Sequence, residues 1–223
     1  MLMKLVSILP QFIYRRVINK IFDKQTNYFQ EFEFKYENIE NELFNGNNEL
    51  FLKHIKACTV FGEYGSGYTT IYAVNFAKKY TISAETSKEW FNKVYKFLDK
   101  NTLLRLIWID VGETGYWGWP NSYSKSENFK KYFNALWEKD QKPDFVLIDG
   151  RFRVATFLTT LKFAKPGTYI LFDDYVNREK YKIVENFEKP IETNNTQAIF
   201  KVSDKYNIQK IDEYISKFEF VMD

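Results

Sequence analysis

The sequence predicts a doubly wound α/β domain with a mostly parallel sheet, and three observations carry that expectation. From about residue 57 onward, short β-branched and aromatic runs alternate with longer helical runs, the pattern left by parallel strands joined through crossover helices. The helical run 152–164 stops at Lys165-Pro-Gly167, directly before another apolar run, which marks a helix-to-strand boundary. Apolar residues make up 45% of 223 residues against 27% charged ones, enough apolar surface for one core of ordinary domain size.

The elements follow in order along a single expected domain, 1–223, in which 1–50 form a helical extension and 57–223 the core. Ile13, Val17, Ile18 and Ile21 recur at helical spacing between Arg15, Arg16, Lys20 and Lys24. Such a basic amphipathic stripe packs on its own domain or lies on an anionic membrane, and packing is the expectation. No small-residue cleavage site follows the apolar start, so a signal peptide is not expected. Strands are expected over 57–61, 80–84, 103–111, 144–148 and 168–172, with helices over 70–79, 87–100, 127–139 and 152–164. Thr86-x-x-Glu89 reads as a capping box for the second of these helices. A helix over 178–187, a strand pair over 190–193 and 197–202 about Asn194-Asn195, and a last helix over 208–220 complete the chain.

Composition removes several functions. The single cysteine, Cys58, excludes an internal disulfide and a Cys-based zinc cluster, and the single histidine, His54, excludes a His-x-x-x-His metal site. Lys and Arg number 32 against 29 Asp and Glu, and the resulting +3 is too weak for a dedicated nucleic-acid binder. No run of about 18 apolar residues exists, so no spanning helix is expected. A cytoplasmic protein follows, with the inner face of a membrane as a variant if residues 1–24 dock there.

In an open α/β sheet, ligands bind beyond the carboxyl ends of the strands. After the first strand comes Gly62-Glu-Tyr-Gly-Ser-Gly-Tyr-Thr-Thr70, where Gly65 and Gly67 permit a tight turn and close backbone approach. Glu85 ends the second strand, 18 positions beyond Gly67, and can accept hydrogen bonds from both hydroxyls of a ribose. The alternatives are a turn whose glycines serve backbone geometry alone and a Glu85 that caps the next helix. No Gly-x-x-x-x-Gly-Lys-Ser/Thr occurs, and the turn departs from Gly-x-Gly-x-x-Gly. Glu63 would repel a pyrophosphate but suits a ligand carrying an ammonium and a sulfonium, which points to S-adenosylmethionine.

Glu63-Tyr-Gly-Ser-Gly-Tyr-Thr-Thr70, Ser83-Ala-Glu85 and Trp90 resemble the opening of class I S-adenosylmethionine-dependent methyltransferases. The resemblance extends to Asp110-Val-Gly-Glu-Thr-Gly-Tyr-Trp-Gly-Trp-Pro120, Val146-Leu-Ile-Asp-Gly-Arg-Phe-Arg-Val-Ala155 and Phe172-Asp-Asp-Tyr175, and covers roughly residues 57 to 190. These motifs are similar to those of a bacterial subgroup, from which Tyr68-Thr69 and Asp173 depart. The resemblance implies a doubly wound, Rossmann-like methyltransferase fold with a C-terminal antiparallel strand pair. It implies that Glu63, Gly65, Ser66 and Gly67 frame the methionine part of the cofactor, that Glu85 holds the ribose, and that Asp110 borders the adenine. Asp149 would lie nearest the transferring methyl.

Asp149, Asp173 and Asp174 also resemble the magnesium site of catechol O-methyltransferase-like enzymes, so Mg²⁺ is the second cofactor admitted here. Without it, Asp149 or Asp174 is the expected general base. Arg151 and Arg153 oppose the dipole of the helix they open; they bind an anionic acceptor or form salt bridges. Trp117, in the loop Tyr116-Trp-Gly-Trp119, is expected at the acceptor, with a buried plug as the alternative. The expected activity is O-methylation of a small or sugar-like acceptor such as a sugar nucleotide or glycan precursor. A nicotinamide-dependent oxidoreductase and a non-catalytic, membrane-docked protein are the competing readings. The sequence sets no oligomeric state.

Overall fold

The computed structural model describes residues 34–35, 37–98 and 103–223, and the basic stripe of residues 10–24 lies outside them. Contacts divide the chain after Phe34, and the unit Lys35–Asp223 carries every element that follows. Its strands are β1 (Val60–Tyr64), β2 (Tyr80–Glu85), β3 (Leu104–Trp108), β4 (Phe145–Ile148), β5 (Tyr169–Phe172), β6 (Pro190–Thr193) and β7 (Ala198–Lys201). They form one sheet in the order β3-β2-β1-β4-β5-β7-β6, parallel from β3 to β5 and antiparallel at β5-β7-β6. Strand order reverses between β1 and β4, so the crevice for a ligand opens beyond Tyr64 and Ile148.

The first strand starts later than the sequence suggests. Helix α1 (Glu49–Ala57) takes Ala57, burying Leu50, Phe51 and Ile55 along one stripe. The Asp144 carboxylate then accepts from the amides of Thr59 and Val60 and aligns the entry to β1. All five residues of β1 are buried, Gly62 and Glu63 included. A central parallel strand is covered on both faces and shows no alternation to read. Gly62 is there because a Cβ would stand 2.5 Å from the Pro143 ring.

Helix α2 (Tyr68–Ile71) continues as a π turn over Tyr72–Phe76. Helix α3 (Lys88–Lys96) is capped by Ser87, whose hydroxyl accepts from Trp90 N at 3.2 Å. The expected capping box is therefore displaced by one residue, because the Thr86 hydroxyl is directed to the Gly118 carbonyl at 2.8 Å. Helix α4 (Phe129–Asn134) is flanked by 3₁₀ turns, and Glu179–Asn186 is 3₁₀ rather than α. Helix α5 (Arg153–Phe163) is buried from Arg153 to Leu161 and packs on the final helix α6 (Ile208–Phe218).

The core above α5 is aromatic. Phe129 and Phe152 lie 4.7 Å apart, Phe157 and Phe200 4.8 Å, and Phe172 and Tyr181 4.9 Å between ring centroids. Each such ring removed from water contributes about 1.5–3 kcal/mol, and together they hold the ends of β4 and β5 in one rigid layer.

Candidate active site

The turn after β1 begins at Gly65, whose φ of +91° lies in the left-handed region. A Cβ there would stand 2.8 Å from Gly150 Cα, just past β4, so turn and strand end meet backbone to backbone. Gly150 is equally confined, since its own Cβ would lie 2.1 Å from the Tyr132 hydroxyl. Gly67 differs from both. Its φ of 174° is extended backbone, and an added Cβ would meet nothing within 4 Å. Packing does not require this glycine; the chain leaves space over it.

Glu63 works on the turn from below. It is fully buried, accepts from Thr69 Oγ1 at 2.7 Å and from Thr70 Oγ1, and so ties β1 to α2. Burial pushes its carboxyl up to about 7. Glu85 is also buried, and burial raises its pKa too. Ser66 N and Ser66 Oγ donate to its Oε2 at 3.0 Å, while Thr86 N and Ser87 N donate to Oε1 at 2.8 Å. A carboxylate offers about four acceptor positions, and the chain's own donors fill them. Trp90 Nε1 donates to the Ser66 carbonyl at 2.6 Å and steadies the same corner.

Beyond β4 and β5, the carboxylates of Asp149, Asp173 and Asp174 offer oxygens within 4.8 Å of one another. Arg153 lies among them, 3% exposed. Its Nε donates to Gly150 O at 3.0 Å, Nη1 to Asp173 O at 2.7 Å, and Nη2 to Asp149 O at 2.9 Å and Asp149 Oδ1 at 3.0 Å. Of the two alternatives for Arg153, the structure shows the salt bridge: its buried guanidinium clamps two strand ends. Gln197, fully buried, donates to Asp173 Oδ1 at 2.8 Å, and Arg178 pairs with Asp174. Burial, then the Asp149 charge, pushes Asp173 up to about 7, and burial raises Asp149. The side chains of Asp149 and Asp174 keep 40% and 35% exposure, so these two remain reachable.

The start of α5 is held in an unusual way. Phe152 has φ of 54°, left-handed for a bulky residue, which costs about 1–3 kcal/mol. Its amide donates to the Asp223 main-chain oxygen at 3.1 Å, and Arg153 N donates to Asp223 Oδ1 at 3.2 Å. Arg151, one residue earlier, lies over the Trp119 ring at 5.4 Å, and its buried Nε has no hydrogen-bond partner among the described residues. Burial and the neighbouring Arg153 lower its pKa.

Asp110 follows Ile109, whose amide donates to Glu85 O at 2.8 Å. Asp110 accepts from Gly112 N at 3.1 Å and pairs with Lys125, facing a polar cavity of about 450 Å³ with Glu113, Ser122 and Ser124. Trp117 is 53% exposed at the tip of a hairpin, and Trp119, not Trp117, meets Arg151. Sequence reasoning missed Tyr132, Trp119, Gln197 and Asp223. Trp119 stood in the aromatic loop already singled out; the others lie far along the chain from their partners and leave no local pattern.

No protein-family model and no curated protein matches the chain. Among solved structures, a methyltransferase-like protein from Silicibacter pomeroyi is 27% identical, with a TM-score of 0.71 over 86% of this chain and 98% of that one. This chain has a methyltransferase-like fold. Two further matches are more remote. An RNA methyltransferase from Salinibacter ruber in complex with S-adenosyl-L-homocysteine is 13% identical, with a TM-score of 0.46 over 79% of this chain and 97% of that one. The N-methyltransferase NodS from Bradyrhizobium japonicum, in complex with the same compound, is 8% identical, with a TM-score of 0.49 over 81% and 97%.

The three acids are already engaged by partners within the chain. Asp149 is engaged by Arg153 and Asp174 by Arg178, so two guanidinium groups already oppose the negative charge that a divalent ion would neutralise, while Asp173 accepts from the neutral Gln197 amide. Among the described residues, no helix is long and apolar enough to cross a membrane.

Proposed function

We propose that the protein uses S-adenosylmethionine to O-methylate a small, sugar-like acceptor that carries an anionic group. The observation that carries this reading is the direct contact of Gly65 with Gly150. It sets the turn after β1 against the strand end bearing Asp149, as transfer between a cofactor on one and an acceptor on the other requires. The open space over Gly67 suits the methionine chain, and Glu85 suits the ribose once donors such as the Ser66 hydroxyl turn away. Bound there, the cofactor supplies an electrophilic methyl group.

The residues of the chain then do the rest. Asp149 takes the acceptor hydroxyl's proton on its carboxylate, whose pKa is raised by partial burial, which strengthens it as a base. Arg153 keeps that carboxylate in place, its Nη2 donating to Asp149 Oδ1 and to the main-chain carbonyl of the same residue. Arg151 binds the acceptor's anionic group, with Trp119 as an aromatic surface beside it. The weak net charge favours a small acceptor over nucleic acid.

Calorimetry with S-adenosylhomocysteine, beside Glu85→Ala, tests the cofactor. Micromolar binding that the substitution weakens by about 2 kcal/mol is expected for loss of a charged acceptor; no heat at millimolar ligand would remove the reading. Methyl transfer to sugar nucleotides or uronic acids is the expected activity, and activity confined to RNA or protein would overturn the acceptor class.

A further inference from the structure

The hairpin over residues 113–121 is attached to the site at two points belonging to its two halves. At the Glu85 corner, Gly118 O accepts from Thr86 Oγ1 at 2.8 Å. One residue on, Trp119 lies under the Arg151 guanidinium. The hairpin's neck is braced by Gly115 N donating to Trp119 O at 2.7 Å, Asn121 N donating to Glu113 O at 2.9 Å, and a bridge between Thr114 and Pro120. A braced hairpin moves as a body, so displacement at Gly118 is displacement at Trp119.

Gly118 is seated without spare room. Its φ is +71°, and a Cβ would stand 2.4 Å from Thr86 Oγ1 and 3.1 Å from Glu85 Oε1. The hairpin backbone therefore closes over the Oε1 side of Glu85. At the other end, Trp119 covers the cation whose Nε lacks a partner. We propose that the hairpin is a two-point latch: cofactor entering the Glu85 corner lifts Gly118, and with it Trp119, so that Arg151 becomes available to an anionic acceptor only after the cofactor is in place. The latch rests on the reading of a nucleoside cofactor at Glu85 and adds an order of binding to it.

Thr86→Val keeps the side chain's shape and deletes the bond to Gly118. Phenylglyoxal labelling with peptide mass spectrometry reads Arg151, with buried Arg153 as the internal control, and hydrogen exchange reads residues 115–119. In the ligand-free protein, Thr86→Val is expected to raise both the exchange and the Arg151 labelling rate about fivefold, the factor one neutral hydrogen bond represents. Saturating S-adenosylhomocysteine raises Arg151 labelling in the wild type at least as much, and Trp119→Ala sets the upper limit. Unchanged exchange in Thr86→Val overturns the latch; faster exchange with unchanged Arg151 labelling overturns the coupling. Binding that leaves Arg151 no more reactive overturns the order of binding. If S-adenosylhomocysteine gives no heat of binding, the cofactor reading falls, while the Thr86→Val comparison still decides the latch.

Discussion

At Gly65 the backbone has positive φ and no room for a Cβ; at Gly67 neither holds. Gly65→Ala is therefore expected to destabilise by about 2 kcal/mol or more in urea denaturation, through strain and the Gly150 contact. Gly67→Ala should leave stability within about 0.5 kcal/mol of wild type while weakening S-adenosylhomocysteine binding, and equal effects at both positions would count against a ligand over the turn. Both glycines were legible as a turn, but their different duties depend on Gly150, which lies 85 positions from Gly65 in sequence. Glu63 makes a further prediction. Its pKa is raised to about 7, so the native state binds more protons than the unfolded chain above the ordinary carboxylate range. Its contribution to stability therefore falls as pH rises toward 7 and stays low beyond it. Thermal melts of Glu63→Gln should show a flatter pH dependence than wild type, with the gain at about pH 8 and none at about pH 4; a gain confined to acid pH would contradict the buried-carboxyl account.

The elements were legible where local pattern decides them and not where tertiary partners do. β2, β4 and β5 are compact β-rich runs between turn signals, and their expected bounds lie within a residue of those observed. β1 shifted because Ala57 closes α1 and because Gly62 and Glu63, poor strand residues, are drawn into a doubly covered strand. Thr86 and Ser87 compete for one cap, and the outcome depends on Gly118, a residue of a distant hairpin. The start of α5 depends equally on remote groups. Arg153→Met would leave Asp149 and Asp173 facing each other without their shared donor, and a loss of about 3–5 kcal/mol in chemical denaturation is expected. Asp223→Ala removes one side-chain acceptor from the same turn; about 1 kcal/mol is expected, with faster amide exchange at Arg153 as its local signature.

At the scale of the whole molecule, the doubly wound class was legible in the alternation of runs and the antiparallel end was implied by the family resemblance, while the strand order comes from the structure. What sequence could not supply was the partner of each acid. Arg153 of α5 and Gln197, just before β7, reach Asp149 and Asp173, and their hydrogen bonds occupy oxygens that a metal ion would compete for. Melting temperature and S-adenosylhomocysteine affinity should accordingly be indifferent to millimolar Mg²⁺ and to EDTA; a dependence of either on the ion would reverse that conclusion. The same sheet has a consequence for synthesis. β7 stands between β5 and β6, and its residues Ala198–Lys201 pair with Phe172–Tyr169. While the chain emerges from the ribosome, β5 therefore keeps an open edge until residue 201 is free. An apolar, unpaired strand edge is a template for pairing with other chains. Translation pauses or truncations before that point would yield aggregates rather than a smaller folded protein.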